Sequence, residues 1–137
     1  MFKLLPLLLL TALLSFVGLT DALIEGNTIC ETTSGSPLTT ELWDYTHLGI
    51  GSGFACRQNS NGANGRPGCT LCGHFTGRGL KISICGVKGS SFGPGQVKEA
   101  VGHLARECTG TFRGSRDWKT GGKWRDKGGK FTILVHL

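Results

Sequence analysis

Six cysteines constrain this chain more than any other feature of its sequence. They are Cys30, Cys56, Cys69, Cys72, Cys85 and Cys108. An even number of cysteines in a short exported chain is typical of a disulfide framework, so we predict three disulfides. Each would contribute roughly 2 to 4 kcal/mol to a core that is marginal at this size. Six cysteines can pair in many ways, and the sequence leaves the connectivity open.

The N-terminus predicts export. Lys3 precedes an uncharged, largely apolar run over residues 4–14, and the small residues Thr20 and Ala22 stand at the third and the last position before a cleavage after Ala22. One cation, a hydrophobic stretch and small residues before the cut are typical of a secretory signal peptide. A membrane anchor is the weaker alternative, because the uncharged run is barely long enough to span and no basic flank follows. We therefore predict a signal peptide over residues 1–22 and a secreted, extracellular protein.

Composition excludes several classes of protein. The 137 residues support one domain. With 39% hydrophobic and 18% charged residues, the chain is too apolar for a disordered polyelectrolyte. Its 23 glycines follow no three-residue period, which excludes collagen. A polytopic membrane protein is also excluded, because the sequence contains no second long apolar run.

The C-terminal half carries the clearest secondary-structure signals. Residues 80–84 and 131–137 alternate apolar with polar side chains, which predicts two strands with one buried face each. Between them, apolar residues recur at helical spacing over 97–108, after Pro94 and before Gly110. The sequence thus predicts an α+β fold: a small disulfide-stabilised α/β sandwich, with an antiparallel or mixed sheet and a helix packed on one face.

The rest of the mature chain divides by charge. Residues 23–47 form an acidic N-terminal segment without lysine or arginine, in which 41–45 is either a helical turn or a strand. Residues 48–137 form the predicted α/β domain. Within it, residues 52–79 are rich in Gly, Asn and Ser, most densely at 59–68, and have the composition of a loop. Whether the acidic segment is a propeptide that screens the basic part of the chain stays open.

The segment 113–130 is the most distinctive: it holds seven bases, two acids and two tryptophans. We expect a long mobile hairpin or loop leading into the last strand. Such a surface could contact nucleic acid, an anionic membrane, or an acidic patch on a protein such as a channel mouth. The alternative is a solvated loop whose tryptophans cover the sheet edge. The candidate contacts are Arg113, Arg116, Trp118, Lys119, Lys123, Trp124, Arg125, Lys127 and Lys130.

The sequence predicts no catalytic residue, metal or cofactor. The spacing of Cys69 and Cys72 is compatible with zinc or a redox dithiol, but an exported chain with an even cysteine count favours disulfides. The chain also contains the acid, base and cation types that a metal-free ribonuclease needs, without a spacing that joins them. These are the histidines His47, His74, His103 and His136 and the acids Glu41 and Glu107.

The C-terminal half resembles the fungal killer-protein-four toxins over roughly 60 of the 115 mature residues. That family has an Ile-Cys strand, a helix ending in Leu-x-x-His-Gly-Cys, a last strand of the form Gly-x-Leu-Thr-Val-Asn-Tyr-Val, and an opening Leu-Gly-Ile-x-Cys-Arg. The corresponding residues here are Ile84-Cys85, the Gly-rich 86–95, the helix end 102–108, the last strand 128–135, and Leu48-Gly49-Ile50 with Cys56-Arg57.

The resemblance implies a small secreted α/β sandwich cross-linked by disulfides. The founding type blocks calcium entry through an exposed lysine; the region carrying that lysine does not align here, so no functional residue is transferred. A second secreted fungal group, the necrosis-inducing effectors, has a similar Cys-strand-helix-strand ending.

These observations together predict a secreted effector or toxin-like protein, monomeric and not an enzyme, that acts by binding. The expected partner is a host or competitor cell-surface protein, such as an ion channel, or an anionic membrane surface; nucleic acid is less favoured. The alternatives are a secreted ribonuclease or other small hydrolase, and a cell-wall-binding or necrosis-inducing effector.

Overall fold

A computed structural model describes residues 24–47, 54–74 and 79–137. The predicted signal peptide lies outside the described residues, as does the opening motif at 48–50. Within the described ranges, no helix is both long and apolar enough to cross a membrane.

The centre of the molecule is a five-stranded antiparallel sheet. Its strands, in spatial order, are β1 (Gly26–Cys30), β8 (Gly122–Asp126), β9 (Phe131–His136), β4 (Lys81–Gly86) and β3 (Gly68–His74). Every neighbouring pair is antiparallel. The first strand along the chain therefore lies at one edge of the sheet, beside a strand that comes almost a hundred residues later.

In the described ranges, two helices and two short ladders accompany the sheet. The helices are α1 (Thr39–His47) and α2 (Pro94–Glu107); the ladders pair β2 (Cys56–Arg57) with β5 (Ser91–Phe92) and β6 (Thr109–Thr111) with β7 (Trp118–Thr120). A single 3₁₀ turn spans Ala63–Gly65. Helix α2 begins with proline, whose fixed φ suits the first turn, and the Gln96 side chain accepts a hydrogen bond from the Gly93 N–H at 3.0 Å.

The core lies between the helices and one face of the sheet. Helix α2 supplies the apolar positions that the sequence pattern predicted, and the sheet supplies the inward side chains of β4, β8 and β9. Its members include Leu42, Tyr45, Leu80, Ile82, Ile84, Phe92, Val97, Val101, Leu104, Trp124, Ile133 and Val135. Within the described residues, α2 packs on this face and α1 packs against α2, while the opposite face carries both charged side chains, such as Lys123 and Arg125, and the Cys69–Cys85 disulfide.

Three disulfides cross-link the structure, and the described residues include no free cysteine. Cys30–Cys108 joins β1 to the end of α2, Cys56–Cys72 joins β2 to β3, and Cys69–Cys85 joins β3 to β4. The predicted disulfide framework is confirmed. Cys69 and Cys72 bond to different partners, because their spacing places one on each face of β3.

The α+β fold, the helix in the C-terminal half and the two strands on either side of it are confirmed. One expectation about a loop is wrong: residues 68–74, inside the stretch 52–79 of loop composition, form strand β3. In the segment 113–130, for which the expectation was a hairpin or a loop, the structure has β7 and β8, and β8 forms a hairpin with the last strand β9. The stretch 41–45 is helical, and the acidic segment contributes both β1 and α1 to the fold.

Candidate functional site

The nine predicted contact residues do not form one surface. Arg113, Arg116, Trp118 and Lys119 belong to the hairpin formed by β6, β7 and their connection, while the others lie on or near β8 and its turn into β9. We call residues 109–120 the β6–β7 hairpin. Trp124 belongs to neither surface.

The expected surface position of Trp124 is wrong. Its side chain is 2% exposed and stacks on Phe92 with ring centroids 5.3 Å apart. The reason is strand alternation: Lys123 and Arg125 project from one face of β8, so the residue between them projects into the core. Trp124 therefore stabilises the fold and is inaccessible to a partner.

Trp118 is the exposed tryptophan among the predicted contacts. It is 58% exposed and pairs with Thr111 across the β6–β7 ladder. Arg113 and Arg116, in the connection between the two strands, are also exposed, and Lys119 is half-buried. The hairpin thus carries an exposed indole, three cations and one acid, Asp117.

The Trp118 indole forms one wall of an apolar groove. The groove has a volume of about 510 Å³ and lies where α1, the end of α2 and the hairpin meet. Its lining residues are Thr39, Thr40, Trp43, Ala105, Arg106, Thr109 and Trp118. Two indoles therefore border a cavity whose size falls within the range of about 300 to 1,000 Å³ typical of ligand pockets. We call it the Trp43–Trp118 groove.

Arg106 is the charged residue of this groove. The Arg106 Nη1 atom lies 3.3 Å from the position that a Cβ on Gly102 would occupy, so the guanidinium packs against α2 at a residue that has no side chain. Within the described residues Arg106 forms no ion pair. The Thr28 side chain and His103 form hydrogen bonds with the neighbouring Glu107, and these bonds, together with the nearby charge of Arg106, hold the pKa of Glu107 below its ordinary value.

Sequence reasoning missed Trp43 and Arg106 as site residues. Trp43 lies in a segment whose secondary structure the sequence left undecided, and Arg106 is one of several cations. Their juxtaposition depends on how α1 packs against α2, which no local pattern reports.

Two of the predicted contacts are bound to the acidic N-terminal segment. Lys123 Nζ lies 2.7 Å from Glu31 Oε1, and Lys127 Nζ lies 2.8 Å from Glu25 Oε2. The hydrogen bond and the charge of Lys127 lower the pKa of Glu25, and the same contact raises the pKa of Lys127. These two cations therefore already have acidic partners, whereas Arg125 and Lys130, also exposed, have none among the described residues.

The described histidine side chains each have different neighbours. His47 contacts Trp43 within α1, and His103 lies between Glu99 and Glu107 on α2. His136 Nε2 lies 2.9 Å from Ser83 Oγ. Ser83 is 5% exposed and sits in β4, which is paired on both sides, so strand pairing occupies the amides around it. This Ser–His contact thus has the nucleophile–base geometry of a hydrolase without free N–H donors for an oxyanion beside it.

No group of three or more metal-ligating side chains occurs within the residues the structure describes. Comparisons of the chain with protein-family models, with curated proteins and with solved structures found no match.

Proposed function

We propose that the chain is a secreted binding protein of the effector or toxin type, which contacts an acidic protein partner through the β6–β7 hairpin and the Trp43–Trp118 groove. The observation that carries the proposal is an exposed indole beside an apolar groove with unpaired cations around it. Three disulfides support export, since such bonds form and persist in oxidising compartments.

The groove has the anatomy of a protein-binding hot spot. Interfaces concentrate their binding energy in a few desolvated residues, with tryptophan and arginine enriched, inside a polar rim. Here Trp43, Trp118 and Ala105 supply the apolar centre, and cations supply the rim. An aliphatic or aromatic side chain of the partner would fill the groove between the two indoles.

Charge favours an acidic partner. Arg106 lines the groove, and the neighbouring hairpin carries three cations and one acid. The cations are Arg113, Arg116 and Lys119, and the acid is Asp117. None of these four cations has an ion-pair partner among the described residues. A partner segment with Asp or Glu on either side of its apolar residue would meet this rim with complementary charge, which raises both association rate and specificity.

The test uses the whole mature chain and a phage-displayed library of random peptides. We expect the selected peptides to share a leucine or an aromatic residue flanked by acidic residues. Trp118→Ala should abolish their binding, and Arg106→Gln should weaken it by about tenfold, because a charge-assisted hydrogen bond is lost. Since Trp118 is exposed, its replacement leaves the fold intact.

Lys98→Gln is the matched control, because it removes one positive charge from α2 outside the groove. Its affinity for the same peptides should stay within about twofold of the native chain, as expected for a screened surface charge. The proposal fails if no peptide is enriched, if the enriched peptides are basic, or if they bind the Trp118→Ala variant as well as the native chain.

A further inference from the structure

We propose a second binding site, for sulfate or phosphate esters carried on a sugar, on the sheet face opposite the helices. It is a basin of about 340 Å³ whose charged lining residues are Lys123, Arg125 and Lys130. The site shares no lining residue with the Trp43–Trp118 groove. It therefore does not depend on the function proposed above.

The basin is formed by residues of all five strands of the sheet and by one turn. Arg125 on β8, Thr132 on β9 and Cys85 on β4 are register partners in one row across the sheet, and the Cys69–Cys85 disulfide extends that row to β3. Ile29 and Lys123 border the row on one side. The turn that joins β8 to β9 closes the end. The floor is thus mainly apolar, with the Thr132 hydroxyl inside it, and the charged donors stand at its margin.

The backbone places Lys130 at the rim. The Val87 N–H donates to the Lys130 carbonyl oxygen at 2.9 Å, which ties the turn to the end of β4. Gly86 permits this approach: its φ is 135°, and a Cβ there would collide with the same carbonyl oxygen. The buried Gln58 side chain, 0% exposed, donates to the Gly68 and Gly86 carbonyl oxygens and so holds β3 and β4 at this point.

Arg125 lies against the same turn: its Nη2 atom is 3.6 Å from the position that a Cβ on Gly129 would occupy. The lining residues include no carboxylate. Lys123 is already bonded to Glu31, so Arg125 and Lys130 supply the uncompensated charge and Lys123 adds a donor at the margin. The Thr132 hydroxyl adds a further donor within the same row.

This arrangement fits a tetrahedral oxyanion on a compact carrier. Guanidinium and ammonium groups bind sulfate and phosphate through charge-assisted hydrogen bonds. The aliphatic and disulfide floor provides a surface for a sugar ring. The basin does not suit single-stranded nucleic acid, which binds by stacking bases on exposed aromatic rings: Phe131, the aromatic lining residue, is half-buried against Phe92 and Trp124.

The experiment is isothermal titration calorimetry of the mature chain with sucrose octasulfate and, separately, with inositol hexakisphosphate. We expect a saturable site whose affinity falls as salt rises. The double variant Arg125→Gln/Lys130→Gln should weaken binding by tenfold or more, as about two charge-assisted hydrogen bonds are lost. The matched control Lys98→Gln/Arg57→Gln removes the same charge at residues that line neither the basin nor the groove, and it should change the affinity by less than about threefold.

A gain-of-affinity variant separates this site from general attraction to a basic protein. Glu31→Gln frees Lys123 and should tighten binding by about two- to fivefold, which corresponds to the energy of an exposed ion pair. Tighter binding of one probe assigns the ester, sulfate or phosphate. The proposal is overturned if the control double variant loses as much affinity as Arg125→Gln/Lys130→Gln, if Glu31→Gln has no effect, or if neither probe binds. The Trp118→Ala variant should bind both probes like the native chain, so the two proposals fail independently.

Discussion

Replacing Trp124 by alanine should destabilise the protein far more than replacing Trp118. Trp124 is 2% exposed and packs on Phe92 and Phe131, with ring centroids 5.3 and 6.4 Å away. Truncating a buried tryptophan costs about 3 to 5 kcal/mol, the lost burial plus the cavity that remains. A domain of this size has a total stability of only about 5 to 15 kcal/mol. Trp118, 58% exposed, should cost less than about 0.5 kcal/mol.

The measurement is urea unfolding at fixed temperature, followed by far-ultraviolet circular dichroism because both substitutions alter the fluorescence signal. Trp124→Phe is the graded control: it keeps a ring against Phe92 and should lose less than the alanine variant. The reasoning is refuted if Trp118→Ala and Trp124→Ala unfold at the same denaturant concentration, since the two indoles would then be equally buried.

Two further predictions concern the cross-links and the single tyrosine. Replacing Cys30 and Cys108 by alanine should lower the free energy of unfolding by about 4.5 kcal/mol, and replacing Cys69 and Cys85 by about 3 kcal/mol, because the disulfides close loops of 78 and 16 residues. Guanidinium unfolding under non-reducing conditions measures both, and a larger loss of stability for the shorter loop would contradict this prediction. Burial raises the pKa of Tyr45 to about 12 from its ordinary value of 10.0. Because the folded pKa is the higher one, stability should be complete below about pH 10 and fall as the pH rises toward 12; phenolate absorbance of the native chain near pH 10 would disprove the burial.

The parts of the fold that could be predicted are those with strong periodicity. Helix α2 repeats apolar residues at helical spacing, and β4 and β9 alternate, so burial on one face left a clear signal. Strand β3 shows no alternation of apolar and polar residues, because two of its seven residues are glycines, Gly68 and Gly73, and two more are cysteines that disulfides hold in place. Its order comes from cross-links and strand pairing.

The candidate site was predicted in part. The cations and Trp118 are recognisable as exposed because polar residues and glycines surround them, whereas Trp124 was misplaced. The sequence did contain a pattern for Trp124, since Lys123, Trp124 and Arg125 alternate polar with apolar residues as a half-buried strand does. Three alternating residues beside a glycine pair are too few to predict a strand in a segment whose composition is typical of loops. The groove itself needs α1, α2 and the hairpin in contact, so no single segment encodes it.

The place of β1 in the sheet sets the order in which the molecule can be completed. Residues 26–30 have no strand to join until residues 122–126 have formed theirs, and the bond from Cys30 must wait for Cys108. The other two cross-links each close over 16 residues and face a much smaller entropic barrier. During maturation, an intermediate with only those two disulfides would keep β1 and the flanking Glu25 and Glu31 detached from the sheet. Lys123 and Lys127 would then lack their acidic partners until the Cys30–Cys108 bond forms.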